Sequence, residues 1–251
     1  MNDMSKIINE ADDALLVKMV IDSFRRTMVH YGCWFAEVEH QLGMEKALAV
    51  EKKAWAGSFS NQLSRLAKIF GFELKDGVPA HLSGLSREAL IDLLKNLGVN
   101  WLANDGIWFQ AVESEFGMID AKRCNDTCWT RYSPYEAERV KELLGLPDNG
   151  GIPALKQALA FRMYALINKQ SIEDVDANTI IFRMNECRVQ VARQRKGLED
   201  YPCKSAGMVE YPYFARTIDS RIATECLGCP PDKHPQEWFC AWKFTLSEQV
   251  K

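Results

Sequence analysis

Four of the eight cysteines, Cys203, Cys226, Cys229 and Cys240, follow the spacing C-x22-C-x2-C-x10-C. Thiolates are soft anionic donors, and four of them form the closed tetrahedral shell of a structural zinc. In Cys226-Leu227-Gly228-Cys229 the two-residue gap lets one turn supply two ligands, with Gly228 free to bend and Pro230 and Pro231 stiffening the exit. Three other chemistries use the same residues: an iron–sulfur cluster, a redox dithiol at Cys226 and Cys229, and a mixed site in which His234 replaces one cysteine. A single C-x2-C without a ferredoxin-like run favours zinc over a cluster. A catalytic dithiol sits at a helix N-terminus that lowers a thiol pKa, whereas here a strand precedes and prolines follow. Cys33, Cys124, Cys128 and Cys187 read as core or neutral thiols.

A second set of polar residues suggests a ligand site. Read as one strand, 179–191 places Glu186 and Arg188 on a face shared with Phe182 and Met184, and a charged pair is costly to bury unless partnered. Asp105 is the other unusual polar group, and Trp101, Trp108, Phe182 and Tyr211 supply aromatic lining. Asp105 and Arg188 are expected in one pocket. Glu37 and His40 have the E-x-x-H spacing of di-iron bundles, but a second such pair is missing, so a solvated face is the better reading.

These residues need elements to hold them. HYGCWFAEVEHQLGMEKA (30–47) aligns without a gap to NDGIWFQAVESEFGMIDA (104–121) at an offset of 74, matching Gly32 with Gly106, Trp34 with Trp108, Phe35 with Phe109 and Gly43 with Gly117. The register extends to Trp55 and Trp129, and to Gly71 and Gly145, so 13–72 and 87–146 read as an internal duplication. Apolar residues at three-to-four spacing make each copy helical. Gly32 and Gly106 are expected to break the first helix of each copy, Ser133 and Pro134 to start a helix ending at Gly145, and the Trp-Phe pairs to pack as core.

After residue 150 the pattern changes. A connecting helix is expected over 153–169, a strand over 179–191, a loop over 193–204, a helix over 205–218, and strands over 221–227 and 237–246. The fold class is α+β: a duplicated all-helical domain over 1–150, then a small antiparallel-sheet domain over 151–251 carrying the four-cysteine zinc site.

Composition narrows the function classes. With 47% hydrophobic and 26% charged residues the chain can bury a sizeable core, and a net charge of −3 gives no general attraction to phosphate backbones or anionic membranes. The acidic start MNDMSKIINEADDALL lacks the basic, then apolar, pattern of a signal peptide, and no window suits a membrane span. A cytoplasmic location is expected, where cysteines remain thiols or metal ligands.

CRVQVARQRKGLEDYPCKSAGMVEYPYFA (187–215), IDSRIATECLGCPPDKHPQEWFCAWKF (218–244) and WLANDGIWFQAVESEFG (101–117) resemble a group of uncharacterised cytosolic proteins of anaerobic bacteria and archaea, over nearly the whole chain. More distantly, the C-terminal half resembles the vinyl-reductase-type ligand-sensing domain and the aminothiazoline carboxylate hydrolases. The sensing-domain likeness implies a zinc site, carried over to Cys203, Cys226, Cys229 and Cys240, beside a pocket for a small, largely apolar ligand. Cysteine at 226, where the sensors tend to use glutamate, and a longer final spacing depart from that pattern.

The leading functional expectation is a zinc-containing protein that binds a small organic ligand between helices and sheet, with Asp105, Arg188, Glu186, Trp101, Trp108 and Tyr211 around it. The alternative is a hydrolase or lyase of a small amide or heterocycle, with Asp105, Glu113 or Glu186 as acid/base. The partners implied are that small molecule and, at most, a second copy in a homodimer, with no nucleic acid and no membrane.

Overall fold

The computed structural model describes residues 8–247. The fold is α+β, and the chain divides into two compact units, 1–79 and 80–251. The division falls between the two copies of the repeat, so the second copy shares a unit with the sheet.

Unit one is a helical hairpin, α1 (Asp13–Leu42) and α2 (Met44–Phe70), followed by a short ribbon of β1 (Leu74–Lys75) and β2 (Val78–Pro79). Asp12 caps α1 by accepting from the Leu15 N–H at 2.8 Å, and Gly71 in the left-handed conformation ends α2. Asp76 and Gly77, both at positive φ, make the tight turn of the ribbon. Between the helices, the Tyr31 hydroxyl donates to Glu51 Oε1 at 2.7 Å and its ring meets Trp55 edge-on, while Trp55 stacks on Phe59 along α2. Val20, Ile21, Phe24 and Met28 are exposed on α1.

Unit two begins with α3 (Ala80–Ser83) and repeats the hairpin as α4 (Arg87–Phe116) and α5 (Met118–Leu144), every helix boundary displaced by the same 74 residues. Ser86 takes the capping role of Asp12, and Gly117 and Gly145 take those of Gly43 and Gly71. Gly43 and Gly117 share φ 86°, a conformation that β-carbon-bearing residues resist, so they set the elbow of each hairpin.

The long helices correct three sequence expectations. Gly32 and Gly106 lie inside unbroken 30-residue helices, because one glycine costs only about 1 kcal/mol and many neighbouring turns outweigh it. Ser133 and Pro134 are buried within α5 and start nothing. Trp34 and Trp108 are 62% and 67% exposed, so the tryptophans of the Trp-Phe pairs are not core.

Then follow α6 (Gly151–Ala160), α7 (Met163–Ile167), β3 (Lys169–Asp176), β4 (Thr179–Glu186), α8 (Arg188–Gln194), α9 (Lys204–Ile218), β5 (Ile222–Gly228) and β6 (Cys240–Leu246). The sheet is antiparallel in the order β3-β4-β6-β5, and β3 and α8 were not expected. One sheet face, carrying Ile180, Phe182, Met184, Ile222, Trp242 and Phe244, is buried against Leu155, Leu159, Phe214 and Ile218 of α6 and α9. At Gly207 the backbone of α9 comes so near the sheet that a Cβ would stand 2.5 Å from Trp242.

A buried charge network joins the second hairpin to α9. Arg162 donates from Nε to Glu136 of α5 at 2.8 Å and from a terminal nitrogen to Glu210 of α9 at 2.7 Å, and all three residues are buried. Glu136 also accepts from the Met163 N–H. Burial disfavours the Arg162 charge, but the two carboxylates more than offset it and keep the group cationic.

Candidate functional site

Three of the four expected thiols meet where α9 begins. Cys203 is the N-cap residue of α9, Cys229 follows β5 directly, and Cys240 opens β6. The Lys204 N–H donates to the Pro230 carbonyl at 2.9 Å, and Lys204 Nζ pairs with Asp232 at 2.7 Å. The helix start and the turn after β5 are therefore clamped together. The Sγ atoms of Cys203 and Cys229 are 3.6 Å apart, and Cys229 also hydrogen-bonds Cys240. Its hydrogen bonds to Cys203 and Cys240, together with burial, push the Cys229 thiol far up, while Cys203, hydrogen-bonded by Cys229 and by Gln190 Nε2, is held below the ordinary thiol range.

Cys226 is close enough to Cys240 to feel its charge, but among the described residues it shares no hydrogen bond with this trio. It pairs across the sheet with Trp242 and is half-buried, and burial raises its pKa while Lys204 draws it down. Among the described residues, no group of three or more His, Cys, Asp or Glu side chains stands in a metal-holding arrangement. His234 lies elsewhere, with Nε2 2.9 Å from Asp200 Oδ2.

The three thiols open onto a cavity of about 340 Å³ inside unit two, between the α4–α5 hairpin and the sheet with α8 and α9. Asp105, Phe109 and Glu113 of α4 and Trp129 of α5 form the helical wall, and Tyr201 closes one side with its ring edge-on to Phe109 at 5.3 Å. Gln190 brackets Tyr201 by accepting from its N–H at 2.7 Å and donating to its carbonyl at 2.9 Å. Lys122 reaches across to the Pro202 carbonyl at 2.8 Å and sits over the Tyr201 ring. Glu210 lines the cavity with its charge already matched by Arg162.

Asp105 is different. Among the described residues nothing hydrogen-bonds or ion-pairs with it, and burial alone raises its carboxyl above the usual range. Asp105 is half-buried, and a carboxylate so placed without a protein partner carries a desolvation cost that nothing among the described residues offsets.

The expected site residues thus separate. Asp105, Tyr211, Cys203, Cys229 and Cys240 line one cavity. Trp101 stands behind the wall, its ring 4.9 Å from Tyr164 and 6.1 Å from Trp129, both of which line the cavity. Trp108 is exposed and lines nothing there. Glu186 and Arg188 also fall outside, so the expected pairing of Asp105 with Arg188 in one pocket is not what the fold makes. The strand ends at Glu186, which pairs with Lys169 of β3 at the surface. Arg188 opens α8 with an exposed side chain and a backbone N–H donating to Asn168. Once the chain turns helical at 188, the alternation that put the two charges on one face no longer applies. Glu37 and His40 are exposed on α1.

Sequence reasoning missed Cys187, Gln190, Tyr164, Tyr201 and Glu210. Cys187 lines the same cavity, and burial pushes its thiol up to about 12. The pair of residues just before Cys203, Tyr-Pro, was legible as a rigid segment, yet nothing local said that Gln190 would hold it.

No helix among the described residues is long and apolar enough to cross a membrane. No curated protein and no solved structure matches the chain. A family model matches residues 9–85 and again 81–246, and by that match the chain belongs to a family of unknown function, DUF6125.

Proposed function

We propose that this chain binds a small, largely apolar organic molecule in the unit-two cavity, next to a zinc ion held by the cysteines at the start of α9. The observation that carries the reading is the opening of the Cys203, Cys229 and Cys240 thiols and of the unpartnered Asp105 into one cavity. About 340 Å³ falls within the roughly 300–1,000 Å³ typical of small-molecule sites, and apolar walls with a few polar groups are their usual chemistry. The donor set suits zinc: thiolates about 2.3 Å from the metal stand about 3.8 Å from one another in a tetrahedron, near the 3.6 Å between Cys203 and Cys229. Cys226 is the fourth candidate, on the same sheet face as Cys240. The resemblance of the C-terminal cysteine spacing to ligand-sensing domains points the same way.

Metal analysis of the purified full-length protein, with mass spectrometry of molecules released on denaturation, tests this. About one zinc per chain with a copurified organic molecule is expected, and Cys229→Ser should lose most of the metal. A zinc-free protein whose cavity carries nothing sinks the reading. A brown protein absorbing near 400 nm would replace zinc with an iron–sulfur cluster.

A hydrolase or lyase is the second reading, favoured by the placement of Asp105 and Glu113, two of the three expected acid/base residues, on the cavity wall. A carboxyl whose pKa is raised by burial keeps its proton to higher pH than an ordinary one, which suits it to general-acid work.

A further inference from the structure

The duplication gives the cavity an internal reference. At the offset of 74, Asp105 corresponds to Tyr31 and Asn125 to Glu51. In the first hairpin the acid sits on the second helix and takes a hydrogen bond from the Tyr31 hydroxyl at 2.7 Å. In the second hairpin the acid has moved to the first helix, an amide replaces its predecessor, and the hydroxyl that served it is gone.

The charges near Asp105 leave it unanswered. Arg162 is committed to Glu136 and Glu210, Lys122 to the Pro202 carbonyl and Asp126, and Arg193 Nε donates to the Glu199 carbonyl at 2.6 Å, while Lys196, which also lines the cavity, is exposed and among the described residues forms no ion pair with Asp105. Asp105 acts electrostatically on Cys128 of α5, Tyr164 of α7, Tyr201 and Glu210. None of them brings a positive charge. Phe109, Trp129, Tyr164 and Tyr201 line the same cavity, and aromatic faces attract cations.

We propose that the cavity recognises a small organic cation, a protonated amine on an aromatic or apolar body, with its charge against the Asp105 carboxylate and its body among the aromatic rings. This rests on reading the cavity as a ligand site. A protonated amine supplies the counter-charge that the fold withholds, and it makes a charge-assisted hydrogen bond stronger than a neutral one.

Isothermal titration of the full-length protein with 2-phenylethylamine and tryptamine, against 2-phenylethanol and 3-phenylpropionate, tests the inference. Near pH 7.5 the amines should bind at least tenfold more tightly than the alcohol or the acid. Asp105→Asn should remove that preference, bringing amine affinity down to that of the alcohol, in a variant that still melts cooperatively and no earlier than the wild type. Lowering the pH until Asp105 is protonated should weaken amine binding to the wild type and leave the variant unaffected. If the alcohol or acid binds as well as the amines, or Asp105→Asn keeps the preference, the cation inference is overturned while the cavity remains a ligand site. If tightening at low pH accompanies alcohol binding, Asp105 acts as a neutral donor and the inference is likewise overturned. Binding of none of the four probes overturns both.

Discussion

The two hairpins share caps, elbows and lengths, and the second contributes Ala137 and Val140 to the core beneath the sheet. In the first, α1 turns Val20, Ile21, Phe24 and Met28 outward. In the second, the residue matching Phe24 is Gly98, which is buried, and a Cβ there would lie 3.1 Å from Ile167. A large side chain was thus exchanged for none at the place where α7 rests on α4. On α5, Glu136 replaces Gln62 and meets Arg162, where the first copy has no such demand. The same backbone makes the two long helices of unit one and a cavity wall in unit two. A few side chains decide which.

The largest test of that difference removes the charge network. Arg162→Ala leaves Glu136 and Glu210 buried without a counter-ion and should cost about 3–5 kcal/mol of unit-two stability in urea unfolding. A loss below about 1 kcal/mol would mean that apolar packing alone joins the second hairpin to α9. Next comes the close approach at Gly207: Gly207→Ala should cost about 1–3 kcal/mol, since Trp242 is fully buried and has little room to move.

The matching change in the first hairpin has the opposite sign. Gly57 lies mid-helix in open space, so Gly57→Ala should stabilise unit one by about 0.5–1 kcal/mol, and any loss there would reveal a contact on that face.

Asp105→Asn sharpens the comparison through pH. The raised carboxyl holds its proton to higher pH in the folded chain than in the unfolded one, so its contribution to stability declines as pH rises from about 3.8 through the raised value. The variant should equal wild type in acid and become the more stable protein toward neutrality, as read by melting temperature in a pH series. An unchanged difference across that series would mean Asp105 does not titrate in that range. The smallest effects are expected for Trp34→Ala and Trp108→Ala, each within about 0.5 kcal/mol because both rings face solvent.

What the sequence made readable follows physical range. The duplication, the elbow glycines, α9 and the two final strands came from local patterning. The gathering of Cys203, Cys229 and Cys240 came from spacing around a hairpin. Arg188 misled because alternation through 179–191 reads equally well as a strand running into a short helix, and only the partner strand β3, ending against Glu186, decides where the strand stops. Ser133 and Pro134 mimic a helix start, but tertiary burial of α5 carries the helix through the missing proline N–H. The Glu136–Arg162–Glu210 network was not readable, because its members belong to three segments and each alone is an ordinary charged residue.

The bracket that Gln190 places on both sides of the Tyr201 peptide has an entropic side. It fixes Pro202 and Cys203 from α8, without help from anything inside the cavity, so the thiol end of the site is set before any guest arrives. For the proposed ligand, little ordering of this end would then be left to the encounter, which lowers the entropic cost of association. Tyr201, held on that bracket and resting edge-on against Phe109, is likewise seated by the protein's own contacts.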